Sequence, residues 1–290
     1  MSDNKNRLLE LKTNALVDSL FIGNYKTSFK GRGIEFATYK EYDFSDSVKN
    51  IDFVKSDREG KILVKLFEEE RELSVYFLID LNDSFFNIGL KNEKIDLVYE
   101  LIYLIGFSAI KNGDKVGAFI FDSNKKNINI AKKGKQNFIN IVNNLDKFTN
   151  YKEGFNIKDL FRKKTIEKID NNGLNYFNSL RIKNSLVFYL SDKLDIDLKD
   201  LKILGVKNDL IFCNIFNSFE NNLSGDGISG LTNGTKNIFL DLDNLENVKK
   251  YIELRKFKIN ELRKFVLRNG GRYILLDETK NIYKEFYKLF

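Results

Sequence analysis

The strongest constraint on this chain is an alternation of short, almost wholly apolar runs with segments of amphipathic helical period. The runs are SVYFLIDL (74–81), KVGAFIFD (115–122), NINIA (127–131), SLVFYLSD (185–192), DLIFCNIF (209–216) and RYILLD (272–277). A strand that is apolar throughout needs cover on both faces, and helical crossovers between parallel strands supply that cover. Helical period is expected over 92–111, 136–145, 157–169, 197–204 and 245–268, with a closing helix that ends at Phe290. The pattern predicts a doubly wound, mainly parallel α/β domain over 73–290. Residues 1–72 read differently. Leu8, Leu11, Ala15, Leu16 and Leu20 suggest an amphipathic helix over 5–22. From Phe29 to Glu72 the helical period gives way to glycine, charge and aromatics, with one strand-like run, KILVKLF (61–67). This is an N-terminal accessory segment, expected to lie beside the core.

Composition removes most catalytic classes. The 290 residues include no His, Pro or Trp, so histidine bases, phosphohistidine carriers and imidazole metal ligands are excluded. The single thiol, Cys213, can form neither an internal disulfide nor a thiolate cage, and its place within DLIFCNIF reads as core packing. Any metal must therefore be a hard cation held by oxygen. The net charge of +7 is spread among interleaved acids, so nucleic acid is not the expected partner. The amino terminus has no uninterrupted apolar core of a secretory signal. LVYELIYLIGFSAI (97–110) carries Glu100 and falls short of the roughly 20 residues of a membrane span. A cytoplasmic protein without a membrane span is expected.

Open α/β sheets bind ligands beyond the carboxyl ends of their strands, where strand order reverses. The first strand runs into DLNDS, which supplies Asp80, Asn82, Asp83 and Ser84, and the fourth ends in Ser191 and Asp192. Side by side, these loops would offer an oxygen cage for Mg2+ or a similar cation. Acids after strands are equally at home as turn and cap residues. GDGISG (225–230) matches a dinucleotide fingerprint in spelling only, because a strand-like NIFLDL follows where a helix is required; it reads as a glycine-rich turn or hairpin. The acidic run 68–72 reads as a solvated edge with one Glu–Arg contact. The 245–268 helix carries eight Lys and Arg against three Glu, a face that could meet an acidic partner or a phosphate backbone but is ordinarily just solvated.

The stretch from Phe29 to Ser84 also carries a specific series: Gly31, Arg32, Gly33, Glu35, Phe36, Tyr42, Asp46, Ile51, Asp52, Arg58, Glu70 and Arg71. In order and spacing it resembles the domain of unknown function 58 family, as do GFSAIKNGDKVGAFIFD (106–122) and SLVFYLSD. The resemblance implies a six-stranded sheet between helices, like that of von Willebrand factor A domains. It also implies a metal-ion-dependent adhesion site, with Asp80, Ser84 and Asp192, and Asn82 in the place of a serine, as the candidate metal ligands; no cofactor is certain, Mg being the one such a site would take. Asn82 stands where that pattern has Ser, and EGFNIKD (153–159) lacks the expected Thr, so the implied site is degenerate or weak. Asp83, Arg32 and Glu35 are the candidate partner-binding residues. Arg32, Glu35, Asp46, Asp52 and Arg58 are expected to form a polar network that fixes the accessory segment.

The function these features suggest is a non-enzymatic interaction adaptor. The resemblance implies a MoxR-type AAA+ ATPase as its partner in assembly or maturation of other proteins. Two rivals stand beside it: an Mg-dependent phosphoester hydrolase using Asp80, Asp83 and Asp192, and a nucleic-acid binder using the basic helix.

Overall fold

A computed structural model describes residues 35–68, 73–86, 93–122, 125–153, 173–221, 223, 227–232 and 237–288. The helices expected over 5–22 and 157–169 lie outside these residues, as do Arg32 and the 69–72 part of the acidic run. The chain divides into two units, one within Tyr25–Leu73 and one that includes Ser74–Phe290.

The smaller unit is a hairpin carrying a helix. Strand β1 (Glu35–Glu41) pairs antiparallel with β2 (Leu63–Glu68), and helix α1 (Phe53–Glu59) lies between them in sequence. Asp52 starts α1 by accepting a hydrogen bond from the Lys55 amide, and Gly60, at φ 66°, ends it in the left-handed region. Asp52 also meets Lys65 at 3.0 Å and accepts from the Tyr39 hydroxyl. The Lys55 amide bond, followed by Lys65, lowers the Asp52 carboxyl to about 2. Asp46 pairs with Lys40 at 2.6 Å. Both acids are held by lysines and a tyrosine of their own hairpin, residues the expected network did not include.

The larger unit holds a six-stranded sheet. Its strands are β3 (Ser74–Asp80), β4 (Lys115–Phe121), β5 (Lys126–Lys132), β6 (Leu186–Ser191), β7 (Asp209–Ile215) and β10 (Arg272–Leu276), in the order β10-β7-β6-β3-β4-β5. All neighbours are parallel except β4 and β5, so the NINIA run is an antiparallel edge strand. In β3, β4 and β7 every residue after the first is buried, and β6 is buried throughout. That is the double cover the apolar runs require. The β5 edge instead alternates half-buried and exposed residues, with Lys126, Ile128, Ile130 and Lys132 outward.

The period-two alternation of the strands sorts the core by face. Tyr76, Leu78, Phe119, Tyr189 and Phe212 pack with helices α4 (Gly173–Ser179), α5 (Leu198–Lys207) and α7 (Leu245–Arg268). On the other parity, Phe77 meets Phe188, and Phe188 meets Phe286 of α8 (Ile282–Tyr287). Helices α2 (Glu93–Lys111) and α3 (Lys135–Glu153) pack together through Tyr103, Phe107 and Phe138. Side-chain caps set where several helices begin: Asp197 accepts from the amides of Lys199 and Asp200, and Asn244 from that of Asn247. Between β7 and α7 come the short α6 (Ser218–Asn221) and an antiparallel hairpin of β8 (Ile228–Thr232) and β9 (Asn237–Asp241). The glycine-rich GDGISG thus leads into a hairpin strand, as its context indicates.

Gly106 of α2 tests this packing. A Cβ there would enter the Phe138 ring, well inside van der Waals contact. Alanine gains up to about 1 kcal/mol of helix propensity, but overpacking costs about 1–3 kcal/mol. Gly106→Ala is expected to lose about 1–2 kcal/mol in urea denaturation, whereas a stabilised variant would show that the two helices separate at no cost.

Candidate functional site

Strand order reverses between β3 and β6: from β3 the chain builds outward through β4, and from β6 it builds the opposite way through β7. The sequence-predicted residues therefore share one end of the sheet. Asp80 closes β3, Ser84 lies in a 3-10 turn (Asp83–Phe85), and Asp192 directly follows β6. The backbone of β8 runs beside that turn. Glu35 opens β1 in the smaller unit.

Four strands of the six-stranded sheet run into an acid at their carboxyl ends, and the structure separates these acids by use. Asp122, after β4, accepts from the Lys125 amide, and Asp277, after β10, accepts from the Thr279 amide, so both serve turns. Asp80 and Asp192 instead meet ammonium groups from far along the chain, whereas the one near Asp277, Lys280 at 3.8 Å, is only three residues on. Asp80 is 2% exposed, and Lys193 reaches its two oxygens at 3.2 and 3.1 Å. The Asn82 side-chain amide donates to Asp80 Oδ1 at 2.7 Å, and the Tyr189 hydroxyl donates to Oδ2 at 3.4 Å. Burial pushes the Asp80 carboxyl up, while Lys193 and Asn82 pull against it. Burial, then the Asp80 charge, pushes the Tyr189 phenol up as well.

Asp192 Oδ2 accepts from Lys94 Nζ at 3.1 Å, and both side chains are all but sealed from solvent. The same ammonium donates to the Ser84 carbonyl at 3.1 Å and pairs with Glu220 of α6. Its three N–H groups thus have three acceptors. Glu220 also holds Arg255 of α7, and Lys94 stands 5.9 Å from the centre of the Phe85 ring. Burial alone would lower the Lys94 value, but Asp192 and Glu220 outweigh it and hold the group above its ordinary range.

A divalent cation fits these residues poorly. In its favour, Ser84 Oγ and Asp192 Oδ1 are buried without a hydrogen-bond partner among the described residues. Against it, the anions Asp80, Asp192 and Glu220 are already matched by Lys193, Lys94 and Arg255. Two further charges would enter a largely buried site whose charges already balance. Asn82 turns its NH2 group to Asp80, so an N–H donor rather than a ligand oxygen faces that carboxylate. No cluster of three acidic or thiol side chains suited to a metal occurs among the described residues. Of the 153–159 stretch, only Glu153 lies within them, as the last residue of α3.

The sequence reading missed Lys94, Lys193, Tyr189, Glu220 and Arg255. A signal existed for Lys94. It stands four residues before Val98, seven before Leu101 and eleven before Ile105, on the buried stripe of α2, where an unpaired lysine is not tolerated. Cys213 is fully buried and its thiol is pushed up by burial, in keeping with a packing role. No helix among the described residues is long and apolar enough to cross a membrane.

A model of the family described as Protein of unknown function DUF58 matches residues 38–257. Similar solved structures include the conserved hypothetical protein BatB from Bacteroides thetaiotaomicron, at 11% identity and a TM-score of 0.36, covering 74% of this chain and 96% of that one. The SpRpn10 VWA domain is another, at 8% identity and a TM-score of 0.34, covering 76% of this chain and 96% of that one. Among curated proteins, none matches.

Removing Lys94 leaves Asp192 buried without its cation, while half-buried Glu220 keeps only Arg255. Lys94→Met is expected to cost about 3–5 kcal/mol in urea denaturation. A cost under about 1 kcal/mol would mean that water reaches these acids. The pH dependence has a fixed sign. Because the folded value is raised, this stabilisation is complete below the ordinary 10.5 and declines as pH rises through the folded value. Wild type should thus lose stability in strong alkali, and Lys94→Met should lack that component.

Proposed function

This chain belongs to the DUF58 family of proteins of unknown function, and from that premise we propose that it is a non-enzymatic interaction adaptor. Its partner docks at the carboxyl end of the sheet, around the 83–85 turn and the β6 exit. The partner class is a MoxR-type AAA+ ATPase, acting with this protein in assembly or maturation of other proteins.

One observation carries this reading: each strand-end carboxylate of the crevice is bound to a lysine of the same chain. General acid/base work requires a titratable group free to exchange a proton with substrate, and a two-metal centre requires unmatched carboxylates. Asp80 and Asp192 offer neither. What the end of the sheet offers is a set of buried, mutually satisfied ion pairs beneath its surface, and a preorganised surface binds partners with little ordering cost. Lys193 keeps 28% of its side chain exposed, so the site has a polar margin, as interfaces do. The adhesion-type metal site belongs to this reading in degenerate form, as the place where docking residues converge.

Affinity capture with the tagged full chain tests the proposal. A MoxR-type AAA+ ATPase is expected in the eluate, and Asp83→Lys, on the turn, should lower its recovery by about tenfold. The variant should melt at the wild-type temperature, separating lost docking from lost folding. Capture that is indifferent to Asp83→Lys and to charge changes at Lys193 would move the interface elsewhere. Hydrolysis of phosphoesters with Mn2+ that vanishes in Asp80→Asn would replace the adaptor with an enzyme.

A further inference from the structure

We propose that Lys193 and Lys94 are the resident cations of this site, so that the docking face is organised without any divalent metal. The inference deepens the adaptor reading and rests on it for the word docking, but the chemistry stands on the isolated protein. A cation in an adhesion-type site has two structural tasks: it neutralises the acids gathered at the strand ends, and it ties the loops that carry them. Both tasks are already done by ammonium groups.

Neutralisation is local and complete. Lys193 straddles the two Asp80 oxygens at 3.2 and 3.1 Å, and Lys94 meets Asp192 at 3.1 Å while pairing with Glu220, whose other partner is Arg255. Three anions face three cations. An ammonium carries one charge on a long apolar stem, so it can enter a pocket lined by Phe85 without the water shell a divalent ion brings. Loop tying is equally direct. Through one nitrogen, Lys94 joins the Ser84 carbonyl of the turn after β3, the Asp192 carboxylate after β6, and α6. Lys193 joins the β6 exit to the end of β3. The divergent position fits this arrangement: Asn82 supplies an N–H to Asp80.

The two lysines differ in how they can be tested. Lys94 is 2% exposed and its loss threatens folding, whereas Lys193 is 28% exposed and sits at the rim. Lys193→Met therefore uncovers Asp80 with the stem volume kept. Thermal melts of the full chain are compared in EDTA and in millimolar Mg2+ or Mn2+. Wild type should show no metal-dependent shift. Lys193→Met should melt lower in EDTA and rise by about 3 °C or more with metal, because the vacated carboxylate now accepts a cation. Lys193→Gln should behave alike and serves if the Met variant does not fold. Adding Asp80→Asn to either variant should abolish the rise, tying it to this carboxylate and excluding metal bound elsewhere. A metal-dependent rise in wild type overturns the proposal. So does a flat response in both Lys193 variants, or a rise that survives Asp80→Asn. Failure to capture an ATPase, with these melts as expected, would remove the adaptor reading and leave the lysine assignment standing.

Discussion

The ammonium of Lys94 is the interaction on which the carboxyl end of the sheet depends. Taking a charged amine out of water costs several kcal/mol even after relaxation, and the cost is met only if geometry and partners are complete. Here the partners are a carbonyl, two carboxylates and an aromatic ring, drawn from the turn after β3, the exit of β6 and helix α6. Nothing else among the described contacts brings these three pieces to one point. The contact continues through Glu220 and Arg255 to α7, so the longest of the described helices is tied to the same centre. Such a network is unforgiving, since removing one member leaves a buried charge rather than a gap.

Much of the sheet was legible because it rests on local periodicity. Runs such as SVYFLIDL and SLVFYLSD admit no solvent-facing alternation, and each became a buried parallel strand. The convergence of Asp80 and Asp192 was legible too, from the rule that places sites where strand order reverses. Which strand-end acids would matter was not. Asp122 and Asp277 look the same in sequence as Asp80 and Asp192, and only long-range partners separate them. Lys94 lies 98 positions from Asp192, and Lys193 lies 113 from Asp80, distances no local pattern encodes. The smaller unit shows the same limit: Asp46 and Asp52 were recognisable as anchored acids, but pairing with Lys40 and Lys65 follows from the β1–β2 register.

The missing histidines constrain catalysis, and they bear equally on structure. A chain without imidazole has lysine, arginine and the terminal amine as its possible internal cations. Lysine's flexible stem reaches buried acids from a helix start or a loop, as Lys94 and Lys193 do. The abundance of lysine that gives the chain its positive charge thus has an interior use, and net charge alone is a poor guide to what the outer surface binds.

The antiparallel β5 edge has a consequence of another kind. An open strand invites a second chain to add to the sheet, most of all where its outward residues are apolar and β-branched, as Ile128 and Ile130 are. Lys126 and Lys132 stand outward at either end of that pair. A second copy laid against this edge in antiparallel register would bring lysine against lysine, so like charge disfavours the self-templated growth that two exposed isoleucines would otherwise promote.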